Sequence, residues 1–391
     1  MTDAPESIVA ALRRDLVLSG PAPYAFAAMG LLWGCYAAYV PVIKANTGAS
    51  DGVLGAVISA SAIGLVLSMW VAPLFDRVFG RWSMAVGSVA LALVFTLPGL
   101  MANPWSLAAA MILVALGSGI LDIVMNARVS ELESRHGRSL MNLNHAVFSF
   151  AYAAGALIGA VSRAGEAAHL IPAMVLVAGI ALAATRMQAE ASKDAGPDGS
   201  GGALPLAVIL PSGAIVLIAF MTEGAIETWS ALHIERTLDG GAAEGPLGPA
   251  VLGLTMGVGR ALGQVATGKM GNRALLLLGT GLSILGALAA ALSVAPWMAY
   301  ISFGCLGLGV SVIAPTALAM AGNRLPEENR TRAIARIAVI GFSGFMIGPF
   351  LLGLVSEVAG LRAAFACVAV ILLVLWPLTS LVTQKPKVGV P

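Results

Sequence analysis

The chain has 391 residues, 58% of them apolar and only 11% charged, with a net charge of +2. Soluble domains carry about 25% charged residues, so this composition excludes an ordinary soluble protein: much of the surface must face lipid. The small net charge, with no basic stripe, excludes a nucleic-acid partner. Cys35, Cys305 and Cys367 lie far apart in apolar runs and read as free thiols, not as a disulfide frame or metal site, so no cofactor is expected.

In chain order, the first 20 residues hold Asp3, Glu6, Arg13, Arg14 and Asp15 and lack the long apolar run of a cleavable signal peptide. Ser7 to Leu18 reads as a short amphipathic helix lying on the membrane. A helix crosses about 30 Å of hydrocarbon with about 20 residues. Apolar segments of that size fall near 22–43, 53–75, 82–101, 105–127, 141–162 and 169–187. A polar, glycine-rich stretch, Gln188 to Gly202, then reads as a linker. Six more segments follow near 206–232, 247–268, 273–294, 297–320, 334–356 and 361–383. The expected fold is an all-α membrane protein of twelve transmembrane helices in two six-helix, pseudo-symmetric bundles. The bundles are 1–187 and 206–391, with a cytoplasmic linker at 188–205. Stretches such as Gly155 to Gly159 and Gly253 to Gly263 are expected to let helix backbones approach closely.

Charge tests the orientation. With the N-terminus placed in the cytoplasm, 17 of the 22 Lys and Arg fall on the cytoplasmic side. Lys44, Arg163, Arg236 and Arg362 fall outside, and Arg260 falls within a span. This is the positive-inside asymmetry. It predicts a multi-pass protein of a bacterial inner membrane with both termini cytoplasmic.

Ionisable side chains inside a span cost about 2.5–3.5 kcal/mol or more, which makes each one a functional candidate. Asp122 and Asn126 share one face of span four. Glu223, Glu227 and Ser230 share one face of span seven, and Arg260 lies in span eight. His145 opens span five on a stripe with Phe148, Ser149 and Tyr152. A carboxyl in a low-dielectric cavity is pushed toward its neutral form, so it can load and release a proton near neutral pH. Each residue has a plainer reading. Arg260 can be a structural cation paired with a neighbouring carboxylate, Asp122 a tie between helices near the cytoplasmic end, and His145 merely hydrogen-bonded. Glu227 reads as solvated at the outer interface.

Trp33, Tyr36 and Tyr39 lie on one stripe of span one, and Trp229 sits beside Glu227. Such faces stack on sugar rings or amphipathic compounds. The alternative is an aromatic belt at the outer surface, which suits Tyr39 and Trp229 better than Trp33.

The loop Ala72-Pro-Leu-Phe-Asp76-Arg77-Val-Phe-Gly80-Arg81 resembles the cytoplasmic loop signature of the major facilitator superfamily, G-x-L-x-D-R-x-G-R. Gly263 to Arg273 resembles a degenerate second copy without the aspartate. The resemblance implies that Asp76, Arg77, Gly80 and Arg81 form a cytoplasmic gate motif touching neighbouring helix ends. Leu121 to Asn126, Asn142 to His145 and Leu32-Trp33-Gly34 resemble the fucose permease group of proton symporters. In that group an acid matching Asp122 takes part in proton and sugar binding. The run Glu223 to Ala231 is similar to YbjJ-type inner-membrane permeases. The first-span aspartate of the fucose carriers has no counterpart here.

These readings imply a secondary carrier, not an enzyme. It is expected to act as a monomer and to move a small polar organic solute with protons by alternating access. The proton would ride on Asp122 or Glu223, with Arg260 as counter-charge. No G-x-x-x-x-G-K-[ST] loop for ATP is present. Proton-driven efflux of amphipathic compounds is the alternative, and a non-transporting membrane sensor a lower one.

Overall fold

A computed structural model describes residues 8–189, 205–325 and 327–383. It is helical throughout, with no strand among the described residues. The expected linker lies almost wholly outside them. Eight helical stretches among the described residues are long and apolar enough to cross a membrane by length and composition, and Leu170–Arg186 is a shorter apolar one.

The helices are α1 (Ile8–Leu18), α2 (Ala22–Thr47), α3 (Asp51–Ala60), α4 (Ala62–Phe79), α5 (Ser83–Val94), α6 (Pro104–His136), α7 (Met141–Ala164) and α8 (Leu170–Ala183). From residue 205 onward come α9 (Leu206–Leu232), α10 (Leu247–Leu292), α11 (Pro296–Gly322), α12 (Glu327–Leu373) and α13 (Leu375–Thr383). Each apolar segment expected from the sequence falls on a helix. Two pairs of segments merge, and each merged helix breaks at a glycine with positive φ, Gly271 (φ 77°) in α10 and Gly360 (φ 81°) in α12. The amphipathic N-terminal helix is α1, and its Asp15 pairs with Arg138 at 2.9 Å.

Local chemistry sets the helix ends. α2 begins after Pro21 and stops at Gly48, a left-handed cap whose N–H returns to the Ala45 carbonyl at 3.2 Å. α6 is capped by the Asn103 side chain, which accepts from the Ser106 N–H at 3.0 Å. Inside the bundle, hydroxyls return to carbonyls one turn back, as Thr222 does to Ile218 and Thr228 to Gly224, which satisfies them within their own helix. Large apolar side chains point outward instead. Trp105 is 86% exposed and Val358 90%, which suits a lipid-facing surface and not a watery one.

Packing depends on small residues. α2 lies on α7, α4 on α6, α9 on α12 and α10 on α11. A Cβ at Gly34 would overlap the Tyr152 carbonyl, and one at Gly155 would overlap the Leu31 carbonyl. α2 and α7 therefore touch backbone to backbone. The two halves of the chain meet mainly where α7 lies on α10 and α3 on α12, and α2 also touches α9 and α10. Gly253 fits over Ser149, Tyr152 and Ala153, and Gly55 fits against Pro349 and Gly353. The expectation that the 155–159 and 253–263 glycines set helix packing is met at these contacts.

Candidate functional site

Arg260 on α10 is the centre of the buried charge. Its side chain is 11% exposed. Its Nη2 donates to Glu223 Oε1 on α9 at 3.0 Å, and its Nη1 donates to the Ser149 hydroxyl on α7 at 2.5 Å. A longer contact from Nη1 reaches the His145 carbonyl at 3.5 Å. One guanidinium thus joins a carboxylate of its own half to the 141–164 helix of the other half. The stripe His145, Ser149, Tyr152 is what faces it. Four-residue spacing puts Ser149 one turn beyond His145, while the Phe26 ring packs edge-on against His145 at 5.1 Å.

Glu227 belongs to the same cluster. It interacts electrostatically with Glu223 and Arg260, and Tyr152 interacts with both acids. This corrects the reading of Glu227 as solvated at the outer interface. The physical reason is that α9 does not stop there. It runs on through a five-residue π turn, His233–Thr237, which keeps Glu227 inside the bundle. Trp229 is corrected on the same ground: it is fully buried, lies against Gly353 of α12, and is not in a surface belt. Tyr39 is likewise buried, its hydroxyl donating to the Ala167 carbonyl at 2.9 Å.

The remaining expected residues lie elsewhere. Asp122 holds Asn126, whose Nδ2 donates to Asp122 Oδ1 at 2.9 Å and to its carbonyl at 2.8 Å. No cation pairs with Asp122 among the described residues, and it is not hydrogen-bonded to the Arg260 cluster. Trp33 and Tyr36 meet edge to face at 5.6 Å and both pack on Phe95, forming an aromatic cluster within the first half.

In the expected gate loop, Asp76 accepts from Arg128 of α6 at 2.6 Å, and Arg128 is only 4% exposed. Gly80 has φ 52° and ψ −121°, a backbone state that side chains avoid, and this is why the motif needs glycine there. Gly271 in the second copy is also left-handed, so both copies turn the chain with the same device. Arg77 and Arg81 are exposed, and Arg81 lies over the Trp82 ring at 5.4 Å.

A cavity of about 210 Å³ extends from Arg260 toward the end of the bundle that carries these glycine turns. Its polar wall is Ser139, Asn142, Arg260, Asn272, Ser311 and Thr316, and Val312 and Pro315 close its apolar side. It reaches the surface at exposed Ser139. None of the aromatics expected to contact substrate lines it.

The opposite end of the bundle is shut by ion pairs that join the two halves. Arg163, at the end of α7, donates to Glu235 Oε1 at 2.6 Å and Oε2 at 3.0 Å. Arg236 grips Asp51 of α3 at 2.5 and 2.8 Å. Lys44 adds a contact to Asp51 at 3.2 Å, and the Ser356 hydroxyl donates to it at 2.5 Å. The Gly52 N–H donates to Glu357 at 3.0 Å. Sequence reasoning counted Lys44, Arg163 and Arg236 only as topology markers and missed this cluster. The one available signal was that these bases break the charge asymmetry on a side otherwise poor in Lys and Arg.

A profile of the Major Facilitator Superfamily matches residues 24–296 and 214–390. An uncharacterized MFS-type transporter of Yersinia pestis is 28% identical over 358 residues, covering 89% of this chain and 91% of the relative. The membrane protein MosC of Rhizobium meliloti is 27% identical over 353 residues, covering 87% and 84%. Among solved structures, a bacterial homolog of the human lysosomal transporter Spinster, in an inward-facing and occupied conformation, superposes with a TM-score of 0.75. It is 14% identical, with 96% of this chain and 99% of that chain covered. Fold, apolar helices and profile agree: the chain is a multi-pass membrane protein that belongs to the major facilitator superfamily of transporters.

Proposed function

We propose that the protein is a proton-coupled secondary carrier of a small polar organic solute in a bacterial inner membrane. In this reading it has twelve spans in two six-helix bundles, 1–187 and 206–391, joined by a cytoplasmic linker, and it works as a monomer with both termini inside. Its place within the superfamily is near the fucose permease and YbjJ-type group.

One observation supports the coupling most strongly: Arg260 is held at once by Glu223 of its own half and by Ser149 of the other. A buried guanidinium stays charged, so its counter-charge decides how costly it is to leave it in the bundle. Protonation of Glu223 removes that counter-charge and loosens the tie. The charge state of one carboxyl then biases the rocking of one half on the other. Glu227, one turn on, is a second proton acceptor within the same cluster. Asp122, held by Asn126, is a further one in the first half.

By the positive-inside assignment, the end shut by Asp51, Arg163, Glu235 and Arg236 is the outer end. The cavity below Arg260 then opens to the cytoplasm, and the state described is inward-facing, as the Spinster homolog's is named. Rocking outward would break the outer ion pairs and close the Asp76 end.

The test is proton flux. Purified protein is reconstituted in liposomes loaded with a pH-sensitive dye, and a panel of sugars, organic acids and amines is added outside. The reading expects at least one solute to move protons with it and to accumulate only under a pH gradient. Solute movement without any proton flux would overturn the coupling.

A further inference from the structure

We infer that the cargo is a small hydroxylated organic anion, a carboxylate-bearing solute that takes the place of Glu223 on Arg260. This rests on the proton-coupled carrier reading above. The argument starts from the cavity wall. Among the described residues that line it, Arg260 is the one charged group and no acid is present. A cationic solute would meet a guanidinium whose carboxylate, Glu223, is already engaged by it. The other polar groups are neutral, namely Ser139, Asn142, Asn272, Ser311 and Thr316. They present hydroxyls and amides suited to a hydroxylated body.

The charge balance then selects an anion over a neutral polyol. Arg260 cannot shed its proton. When Glu223 takes up a proton, the guanidinium is left near the cavity without its carboxylate, and a solute carboxylate can accept the Nη2 hydrogen bond that Glu223 held. One proton and one monoanion enter together, so the cluster's net charge is the same before and after loading. Proton and solute bind cooperatively for the same reason.

The groups facing Glu223 are few. Arg260 comes from α10, Tyr152 and the His145 stripe from α7, and Glu227 from its own helix. α11 carries no acid or base other than Tyr300 and Cys305, and α2 carries Tyr24, Cys35, Tyr36, Tyr39 and Lys44, the last engaged by Asp51. α12 presents Phe345 and Gly348 to Gly224 and Met221 at this level. Its charged Arg330, Arg332, Arg336, Glu357 and Arg362, among the described side chains, lie toward the ends of its two segments. α13, also packed on α9, has no charged residue.

The test uses probes that differ in the head group alone. D-gluconate, sorbitol and glucamine share a polyol chain and end in a carboxylate, an alcohol and an ammonium. Lactate and glycerate extend the acid set. Binding to the purified full chain is measured by calorimetry at pH 6 and pH 8. The expected result is acid binding about tenfold tighter at the lower pH, with sorbitol and glucamine weaker by a similar factor. Glu223→Gln, which mimics the protonated carboxyl, is expected to bind the acids tightly at both pH values. This is a gain that a misfolded protein would not show. Arg260→Gln is expected to lose acid binding.

Sorbitol or glucamine binding as tightly as gluconate would overturn the inference. So would failure of all three acids to bind both the wild type and Glu223→Gln. The two readings fail separately. A neutral or cationic solute that drives proton flux leaves the carrier standing and removes the anion. Acids that bind yet never move protons do the reverse.

Discussion

Glu235 and Arg236 stand next to each other in the chain and are held by different helices of the opposite half: Glu235 by Arg163 of α7, Arg236 by Asp51 of α3. The π turn His233–Thr237 makes this arrangement. A π turn widens the helix locally and is often kept at functional sites. Here it allows successive residues of opposite sign to reach two partners. Both pairs must break before this end of the bundle can open.

That gives a first prediction. In a background where Cys35, Cys305 and Cys367 are replaced, spin labels at Ala168 and Ala242 report the distance across this end. The unaltered latch is expected to give one short distance. Glu235→Gln with Asp51→Asn is expected to add a longer population, and exchanging the charges of Arg163 and Glu235 is expected to restore the short one. A single short distance in the Gln/Asn variant would mean that the ion pairs do not hold this end shut.

At the other end, Arg128 is nearly buried and is compensated by Asp76 at 2.6 Å. Breaking a buried ion pair by removing one partner costs about 3 kcal/mol. Asp76→Asn should therefore lower the Tm of the detergent-solubilised protein by several degrees. Asp76→Asn with Arg128→Gln should recover much of that loss, because no lone charge remains. Equal Tm values for the wild type and Asp76→Asn would show that the pair carries no stability.

Packing of α2 on α7 makes a third prediction. Gly34→Ala puts a methyl into the Tyr152 carbonyl, and overpacking of this kind costs about 2 kcal/mol or more. Gly179→Ala on α8 meets open space and should stabilise by about 1 kcal/mol, the helix preference of alanine over glycine. The pair of variants, compared by thermal unfolding, separates close backbone approach from a general dislike of substitution. Similar shifts for both would refute the backbone contact.

The apolar segments were legible because hydrocarbon thickness imposes a length on every span, and composition shows it directly. The loop motif was legible because Gly80 and Gly271 need backbone states that other residues avoid. Glu223, Arg260 and the His145–Ser149–Tyr152 stripe were each visible as polar residues inside spans. Their meeting was not, since Arg260 and Ser149 are 111 positions apart and only the tertiary fold joins them. The outer latch was hidden more deeply. Asp51, Arg163, Glu235 and Arg236 lie at helix ends, where charge is expected and draws no notice. Glu227 was misplaced because hydropathy does not reveal that α9 continues through a π turn.

The central claim is that protonation of Glu223 couples solute movement to the pH gradient. Its most direct test compares two modes in liposomes holding either the wild type or Glu223→Gln: uphill accumulation driven by a pH gradient, and solute exchange at equal pH. The account predicts that Glu223→Gln loses accumulation while exchange persists, since exchange needs no change in the charge of the site. Accumulation by Glu223→Gln at the wild-type level would contradict it.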